Sequence, residues 1–261
     1  MNKLEKRRLL PAVVVSCCFM LVTGNSALAV SDVDKVKEEI EPNIGRMGDS
    51  VIVDAEKFDF SDAERKLWLN DHLGNVEKPA RLYYEFVKSG TYEEGFSDAV
   101  YLDILEINDD GSKNALLEFF TADRQQAANK DNLSNITGNP IIGIYMQGDV
   151  VEMNRLTDGH WRYFHKRIKI AISESAKIDD ISFDFAGKKV AGEKITITPY
   201  VNDPRRKQFE QFADKRYEFI FSKQVPGSLY QIKTIIPDKS GADKEALIEE
   251  ILTLKNASFS G

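Results

Sequence analysis

Hydrophobic and polar residues alternate over long stretches of the chain, and this alternation is the clearest structural signal in the sequence. In ARLYYEFVKSG, which starts at Ala80, the apolar residues Leu82, Tyr84 and Phe86 fall on one side, whereas Glu85 falls on the other. A period of two residues is typical of a β-strand with one face turned towards a core. This segment is therefore predicted to be a half-buried strand.

The same alternation recurs along the chain and predicts an antiparallel sheet. Two sequence turns support this, because NDDGS after Ile107 is typical of a hairpin and Pro226-Gly227 is typical of a type II turn. The polar run 122–139 is predicted to be a loop. The further strands are Val100–Ile104, Ala115–Thr121, Ile181–Phe185, Ile195–Ile197, Tyr217–Phe221, Leu229–Ile236 and Leu247–Lys255, of which the last is also compatible with a helix.

Between the two strand-rich parts, the pattern favours helices. Asn139-Pro140 is typical of a helix start, since Asn caps the helix and Pro fits its first position. Gly159 stands where a helix would end in the left-handed conformation. We therefore predict an αα-hairpin with helices at 140–156 and 160–174. Two strands, IIGIYM and VVEMN, remain the alternative, because two internal glycines each weaken a helix by up to about 1 kcal/mol.

The second helix contains the densest group of charged and aromatic residues, DGHWRYFHKRIKI, from Asp158 to Ile170. A helical period separates aromatic from basic side chains, whereas a strand period would mix them. The apolar side comprises Trp161, Phe164, His165, Ile168, Ala171 and Ile172, and the basic side comprises Arg162, Lys166 and Lys169. The helix is thus the favoured interpretation.

Taken together, these elements predict an α+β fold. It consists of a mostly antiparallel sheet, curved or closed into a half-barrel, with a central αα-hairpin at about 140–174 packed against it. A short helix precedes the sheet, because Ser61 and Glu64 have the spacing of a capping box. This plan is similar to that of periplasmic lipoprotein carriers and related unclosed barrels, a likeness of architecture alone.

The N-terminus has the layout of a secretory signal peptide. Four basic residues precede an apolar run from Leu9 to Val22, and Ala27-Leu28-Ala29 follows as a small-x-small end. Cleavage is expected after Ala29. Lipidation at Cys17 is a second interpretation, and a retained membrane anchor is a third, although the apolar run is shorter than the roughly 20 residues that span a bilayer. Residues 1–29 are then the signal peptide, 30–60 a loosely ordered acidic lead-in, and 61–261 a single β-rich domain.

Charge and cysteine content narrow the classes of function. Without residues 1–29, the chain has 31 basic and 41 acidic residues, a net charge of −10, and both cysteines are lost. Such a chain is a poor general binder of nucleic acid, whose phosphates attract cations. Disulfides, thiolate nucleophiles and cysteine-ligated zinc are excluded from it.

Motifs for catalysis or metal binding are weak. His160 and His165 are five residues apart, so a helix rotates them about 140° from each other and they do not converge on one metal. The sequence has neither a G-x-S-x-G motif nor a phosphate-binding loop. We expect no catalytic residue, no metal and no cofactor. Scattered carboxylates such as Asp149 and Glu152, with His160 or His165, leave a hydrolase open as an alternative.

Two groups of residues are the candidate binding surfaces. The first is a set of large rings on strand faces, which line a cavity for an apolar ligand or fill an ordinary core: Tyr84, Phe86, Phe183, Phe185, Tyr217 and Phe219. The second is the basic side of the hairpin, which suits anionic lipid headgroups or an acidic partner: Trp161, Arg162, Lys166 and Lys169.

The favoured function is a secreted, periplasmic, non-enzymatic protein. It is expected to bind an apolar ligand or lipid, or a cell-envelope partner protein, but no nucleic acid. Its mature chain has no segment of transmembrane length. The alternatives are a periplasmic hydrolase with a carboxylate or histidine centre, and a purely structural envelope assembly protein.

Overall fold

Nine antiparallel strands form one curved, open sheet in the described part of the chain. The structure, a computed structural model, describes residues 59–121, 130–240 and 245–259. The strands are β1 (Ala80–Ser89), β2 (Phe96–Ile107), β3 (Lys113–Phe119), β4 (Lys130–Ile136), β5 (Lys177–Phe185), β6 (Lys188–Ile197), β7 (Arg216–Phe221), β8 (Leu229–Ile236) and β9 (Ile248–Phe259). Their order across the sheet is β4-β3-β2-β1-β9-β8-β7-β6-β5. The predicted α+β class is confirmed.

A helical hairpin connects the two edges of the sheet. Strands β1 to β4 pair in succession from the centre to one edge, and β5 to β9 pair from the other edge back to the centre. The chain leaves β4 at one edge and enters β5 at the opposite one. Helices α2 (Pro140–Thr157) and α3 (Trp161–Ser175) make this crossing. They lie over one face of the sheet, which we call the covered face; the opposite side is the outer face.

Strand alternation assigns the side chains to these two faces. On β1, Leu82, Tyr84 and Phe86 are buried beneath the helices. The alternate positions, such as Arg81 and Glu85, lie on the outer face, where Arg81 forms an ion pair with Asp103 at 2.6 Å. The core therefore lies between the covered face and the hairpin. Other strands contribute to this core Val100, Leu102, Ala115, Leu117, Ile195, Tyr217, Phe219, Leu229, Ile232, Leu252 and Leu254.

The helix ends explain why the hairpin forms where the sequence predicts it. The Asn139 side chain accepts a hydrogen bond from the Ile141 N–H at 3.2 Å, and Pro140 occupies the first turn. The left-handed residue between the helices is Asp158, with φ of 56°, so the assignment of that role to Gly159 was wrong. Asp tolerates this conformation. Gly159 is needed for space, because a Cβ there would lie 2.7 Å from the Phe164 ring.

The segment before the sheet begins as the capping box predicts. The Ser61 hydroxyl accepts a hydrogen bond from the Glu64 N–H at 3.2 Å, and the Ser61 N–H donates to the Glu64 carboxylate at 2.8 Å. Helix α1 (Asp62–Glu64) then continues as a π-helical turn, Arg65–Leu69. This turn buries Leu67 in the core.

Three local predictions need correction. The run 122–139 is not entirely a loop, since β4 pairs with β3 along the sheet edge. Edge pairing uses backbone groups, so a polar sequence with little alternation satisfies it. The final strand, β9, extends four residues beyond Lys255 to Phe259. Asp203-Pro204 is typical of a helix start and predicts a short helix, but the segment that follows consists of two 3₁₀ turns, Arg206–Gln208 and Glu210–Phe212.

The predicted signal peptide and almost all of the acidic lead-in lie outside the described residues. Whether 61–261 is a single domain stays a prediction. Across the described ranges, no helix combines the length and hydropathy that crossing a bilayer requires.

Candidate functional site

Four of the six predicted ring residues lie together on the covered face. Tyr84, Tyr217 and Phe219 are 0% exposed, and Phe86 is 5% exposed. Phe86 packs against a ring of the hairpin, Tyr145, with centroids 6.4 Å apart. These rings therefore form part of the interface between sheet and helices.

Phe183 and Phe185 lie on the outer face, so the structure does not bring the six rings together. Ile178 pairs with the buried Ile195 of the covered face, so Ile178 lies on the covered face too. The pairing of β5 with β6 has no register shift. Alternation therefore turns Phe183, five residues later, to the opposite side. There it stacks on Tyr230 with centroids 4.0 Å apart. The sequence pattern identified strand faces correctly, but alternation within one strand does not tell which face is covered.

The covered face also holds buried lysines, which were not among the predicted site residues. Lys215 precedes β7 and is buried with Asp149 of α2; their side chains are 2% and 1% exposed. The Lys215 ammonium donates to Asp149 Oδ1 at 2.5 Å, and the Tyr217 hydroxyl donates to Asp149 Oδ2 at 2.7 Å. Both oxygens of this carboxylate thus have a donor from the sheet. Tyr200 extends the network, with its hydroxyl 3.1 Å from that of Tyr217.

A second group of buried charges surrounds Lys88 of β1. Its ammonium lies 2.7 Å from Glu152 of α2, 2.6 Å from Glu93 and 3.2 Å from Glu250 of β9. Arg155 binds both Glu152 and Glu93 at 2.6 and 2.8 Å. We call Lys88, Asp149, Glu152, Lys215 and Glu250 the interior charge cluster, because these five groups lie between the hairpin and the sheet.

Burial and pairing act in opposite directions on the acids of this cluster. Burial raises the pKa of Glu250. Burial would also raise the pKa of Glu152, but its hydrogen bond from Arg155 and the charge of Lys88 outweigh that effect and lower it. Burial alone would lower the pKa of Lys88, yet Glu250 and Glu152 raise it above its ordinary value. The ion pair between Lys88 and Glu152 therefore stays charged over the ordinary pH range.

The buried ion pairs connect the hairpin to the sheet, but burying their charges costs free energy. Removing two charges from water costs several kcal/mol per ion, which their attraction often does no more than offset. In other folded proteins, replacing such pairs with well-packed apolar residues is often neutral or stabilising. We therefore expect the cluster to fix the position of the hairpin more than to add net stability.

The sequence does contain a signal that predicts Lys88 and Lys215 on the covered face, because both continue the two-residue period of a neighbouring strand. Lys88 continues the series Leu82, Tyr84 and Phe86 by one step of two residues. Lys215 likewise stands two residues before Tyr217. A lysine in phase with buried residues is expected on the buried face, where it needs a counterion.

The carboxylates considered for a hydrolase are engaged in these pairs. Asp149 and Glu152 are buried against cations of the sheet. His160 lies at the surface and caps α3, where its Nδ1 accepts a hydrogen bond from the Arg162 N–H at 3.2 Å. The structure therefore does not bring His160 together with these acids. In the described ranges, no group of three or more His, Cys, Asp and Glu residues is arranged to hold a metal ion.

A polar cleft of about 550 Å³ opens at one end of the sheet, next to the loop that leads into β1. Lys66 and Glu193 form an ion pair there at 2.7 Å. His72 forms one wall and stacks on Phe221 with centroids 5.3 Å apart. The other lining residues are Asn70, Asp71, Asp180, Ala191, Gly192, Ser222, Lys223, Gln224 and Ser228.

His72 connects this cleft to the start of α2. Its Nδ1 accepts a hydrogen bond from the Asn139 N–H at 3.1 Å, so the ring hydrogen lies on Nε2, which donates to the Lys66 carbonyl at 2.7 Å. A protonated imidazole has no acceptor and would lose the contact with Asn139. Burial lowers the pKa of His72, against the opposing effects of the Lys66 carbonyl and Asp71. The neutral ring is thus the form that fits the fold.

The basic side of α3 faces solvent, in agreement with the helical interpretation of the segment. Arg162 and Lys166 are exposed and Lys169 is half-buried. The Arg162 guanidinium lies over the Trp161 ring at 4.7 Å. Arg167 points elsewhere and forms an ion pair with the buried Asp203 at 2.7 Å. We call Trp161, Arg162, Lys166 and Lys169 the basic helix surface.

Comparisons with known proteins give fold-level likenesses only. No protein-family model and no curated protein matches the sequence. Among solved structures, the lipoprotein LppX of Mycobacterium tuberculosis is 10% identical, with a TM-score of 0.30, over 74% of this chain and 94% of that one. LprF of Mycobacterium bovis is 12% identical, with a TM-score of 0.24, over 74% and 93%. A LolA superfamily protein of Nitrosomonas europaea is 8% identical, with a TM-score of 0.21, over 76% and 94%. At these TM-scores, the likenesses assign neither family nor ligand.

Proposed function

We propose that the protein is a non-enzymatic component of the cell envelope that binds an apolar or lipid ligand between the helical hairpin and the covered face. The observation that carries this proposal is the construction of that interface. Aliphatic and aromatic side chains of the covered face pack beneath the hairpin, and buried ion pairs connect the hairpin to the sheet. Separating the hairpin from the sheet would open a large apolar surface to a ligand.

The energies of the two competing processes are of similar size. Burial of an alkyl chain of about twelve methylenes contributes about 10 kcal/mol, at about 0.8 kcal/mol for each methylene. Breaking a buried ion pair by removing one partner costs about 3 to 5 kcal/mol. If each lysine left without its partner costs as much, one chain offsets the loss of the Lys215–Asp149 and Lys88–Glu152 pairs. A short or polar molecule would not.

The envelope location rests on the N-terminal sequence. Its basic start, apolar run and small-x-small end are those of a signal peptide, with cleavage expected after Ala29. We assign the protein to the periplasm or the secreted fraction on that basis.

The basic helix surface is proposed as the contact with an anionic membrane or an acidic envelope partner. Its cations lie on α3, on the solvent side of the hairpin that covers the proposed ligand site. Membrane docking and ligand exchange would therefore both involve the hairpin. Each cation near an anionic bilayer contributes about 1 kcal/mol. Changing Arg162, Lys166 and Lys169 together to Ser should weaken binding to phosphatidylglycerol vesicles about 100-fold. Changing Lys188, Lys189 and Lys194 to Ser is the matched control, and equal losses in both variants would contradict a specific surface.

Ligand binding is tested by titrating the protein with N-phenyl-1-naphthylamine, whose fluorescence rises in apolar surroundings. We expect saturable binding of about one probe per chain, reversed by added lipid. Phe86→Ala, on the covered face, should weaken binding about tenfold to a hundredfold, since burial of one large apolar side chain contributes about 1.5 to 3 kcal/mol.

Tyr101→Ala is the control, because Tyr101 stacks on Tyr83 away from the hairpin. Binding that does not saturate, or that Tyr101→Ala weakens as much as Phe86→Ala does, would refute the proposed site.

A further inference from the structure

The charges of the interface are divided unequally between its two sides. The two lysines of the interior charge cluster belong to the sheet, since Lys88 lies in β1 and Lys215 immediately before β7. Their carboxylate partners from the hairpin, Asp149 and Glu152, both lie on α2. Separating the hairpin from the sheet therefore removes the Asp149 and Glu152 carboxylates from the covered face and leaves Lys88 and Lys215 on the sheet.

The two lysines would not be left in the same state. Lys88 keeps Glu93 at 2.6 Å and Glu250 at 3.2 Å when Glu152 departs. Lys215 has its only described ion pair with Asp149. Loss of Asp149 thus leaves the Lys215 ammonium without its ion-pair partner, although the charge of Glu250 from β9 still acts on it. Lys215 therefore loses more of its pairing than Lys88 does.

The donors around Asp149 have the geometry of an anion site. Lys215 donates to one carboxylate oxygen at 2.5 Å and Tyr217 donates to the other at 2.7 Å. Tyr200 lies behind Tyr217, with the two hydroxyls 3.1 Å apart. An ammonium and a phenol hydroxyl, both held by buried surroundings, suit any compact anion with two or more oxygens, such as a carboxylate or a phosphate monoester.

We propose that the ligand of the covered face is an amphiphile with an anionic headgroup, and that this headgroup replaces the Asp149 carboxylate on Lys215 and Tyr217. The inference rests on the proposed function and specifies the class of ligand. The alkyl chain supplies the free energy that opens the interface, and the headgroup supplies the counterion that Lys215 loses. A neutral ligand leaves Lys215 buried without a direct ion-pair partner, although the charge of Glu250 still acts on it, and a cationic ligand adds repulsion.

The test compares three ligands with the same chain of twelve carbons: dodecanoate, monolaurin and dodecyltrimethylammonium. Each displaces N-phenyl-1-naphthylamine from the full chain at concentrations below its micelle threshold. A hydrogen bond to a charged group contributes enough for a preference of about tenfold to a hundredfold. We therefore expect dodecanoate to bind the wild-type protein tighter than monolaurin by that factor, and dodecyltrimethylammonium to bind weakest.

Variants separate this site from other causes of selectivity. The double variant Asp149→Leu/Lys215→Met replaces the pair with apolar side chains of similar size, a change that folded proteins tolerate, and it should bind dodecanoate and monolaurin equally. Tyr217→Phe keeps the lysine and should reduce the preference about tenfold. Lys233→Met is the matched control, because Lys233 pairs with Glu249 on the outer face and its loss should leave the preference unchanged.

Inorganic phosphate and acetate distinguish a headgroup from a free anion. Neither carries a chain that could open the interface, so neither should displace the probe at millimolar concentration. Displacement by inorganic phosphate would contradict an amphiphile.

Equal binding of the three twelve-carbon ligands to the wild-type protein, or a preference that survives in the double variant, would overturn the anionic headgroup while leaving apolar binding intact. If none of the three ligands binds, both this inference and the proposed function are wrong.

Discussion

Removal of Lys215 is the sharpest perturbation that the interface offers. The variant Lys215→Met leaves Asp149 buried, 1% exposed, with the Tyr217 hydroxyl as its remaining described donor. At such burial, solvent screens the lost attraction very little. Breaking a buried pair by removing one partner costs about 3 to 5 kcal/mol, so we expect the free energy of unfolding to fall by that amount. For a chain of this size, the melting temperature should fall by about 6 to 20 °C.

A double-mutant cycle shows whether this cost comes from the pair. Asp149→Leu alone should be similarly harmful, because it leaves Lys215 buried without a counterion. Asp149→Leu/Lys215→Met should recover most of the loss, giving a coupling free energy of at least about 2 kcal/mol. Unfolding in urea, followed by circular dichroism, supplies all four values.

Lys233→Met is the control for this cycle, because the Lys233–Glu249 pair lies on the outer face with side chains 25% and 27% exposed. Its loss should cost less than about 1 kcal/mol. Additive effects of the two interior changes, or a cost of Lys215→Met no greater than that of Lys233→Met, would refute the reasoning that the buried pair connects hairpin and sheet.

Three further predictions concern the surrounding structure. Because burial lowers the pKa of His72, the unfolded chain takes up a proton that the folded one resists, and stability should fall as pH drops below about 6.5. In parallel urea titrations, His72→Gln should remove that part of the pH dependence; identical curves would contradict it. Gly192→Ala should destabilise the fold by about 1 to 3 kcal/mol, since its Cβ would lie 2.5 Å from the Phe221 carbonyl oxygen. Gly148→Ala, in open space on α2, should instead stabilise it by up to about 1 kcal/mol; melting temperatures that move in the same direction for both would contradict these assignments.

Much of the fold was predictable because one face of the sheet is buried and the other is not. The strand predicted at Leu229–Ile236 has those bounds in the structure. Most covered positions, such as Ile232, are apolar, whereas outer positions such as Lys233 are often polar, and this difference produces the period of two. The helical hairpin was predictable for another reason, since Asn139 and Pro140 identify a helix start independently of its apolar pattern.

Features that depend on backbone pairing or on side-chain crowding in the folded protein were not predicted. Strand β4 is an edge strand in which Leu133, 9% exposed, is the one buried apolar residue among the described side chains, so its sequence carries almost no alternation. The left-handed position at Asp158 was assigned to Gly159 because glycine usually occupies it. The structure uses Gly159 to avoid the Phe164 ring instead. Such crowding depends on tertiary contacts that the local sequence does not contain.

The candidate site was predictable in part. The aromatic floor at Tyr84, Phe86, Tyr217 and Phe219 followed from strand alternation, and its role in ligand binding stays a proposal. The position of Phe183 on the outer face was not predictable, because the sequence of one strand does not say which face the hairpin covers. The pairing of Lys215 with Asp149 joins residues 66 positions apart, and a single sequence gives no register between a helix and a sheet.

The most direct test of the central claim is to locate the ligand on the sheet. A twelve-carbon carboxylate with a photoactivatable diazirine in its chain is bound to the protein and irradiated, and the modified side chains are identified by peptide mass spectrometry. We expect saturable labelling of covered-face residues such as Phe86, Phe219 and Leu252, reduced by excess dodecanoate. Labelling confined to outer-face residues such as Tyr101, or to the polar cleft around His72, would contradict a ligand held between the hairpin and the sheet.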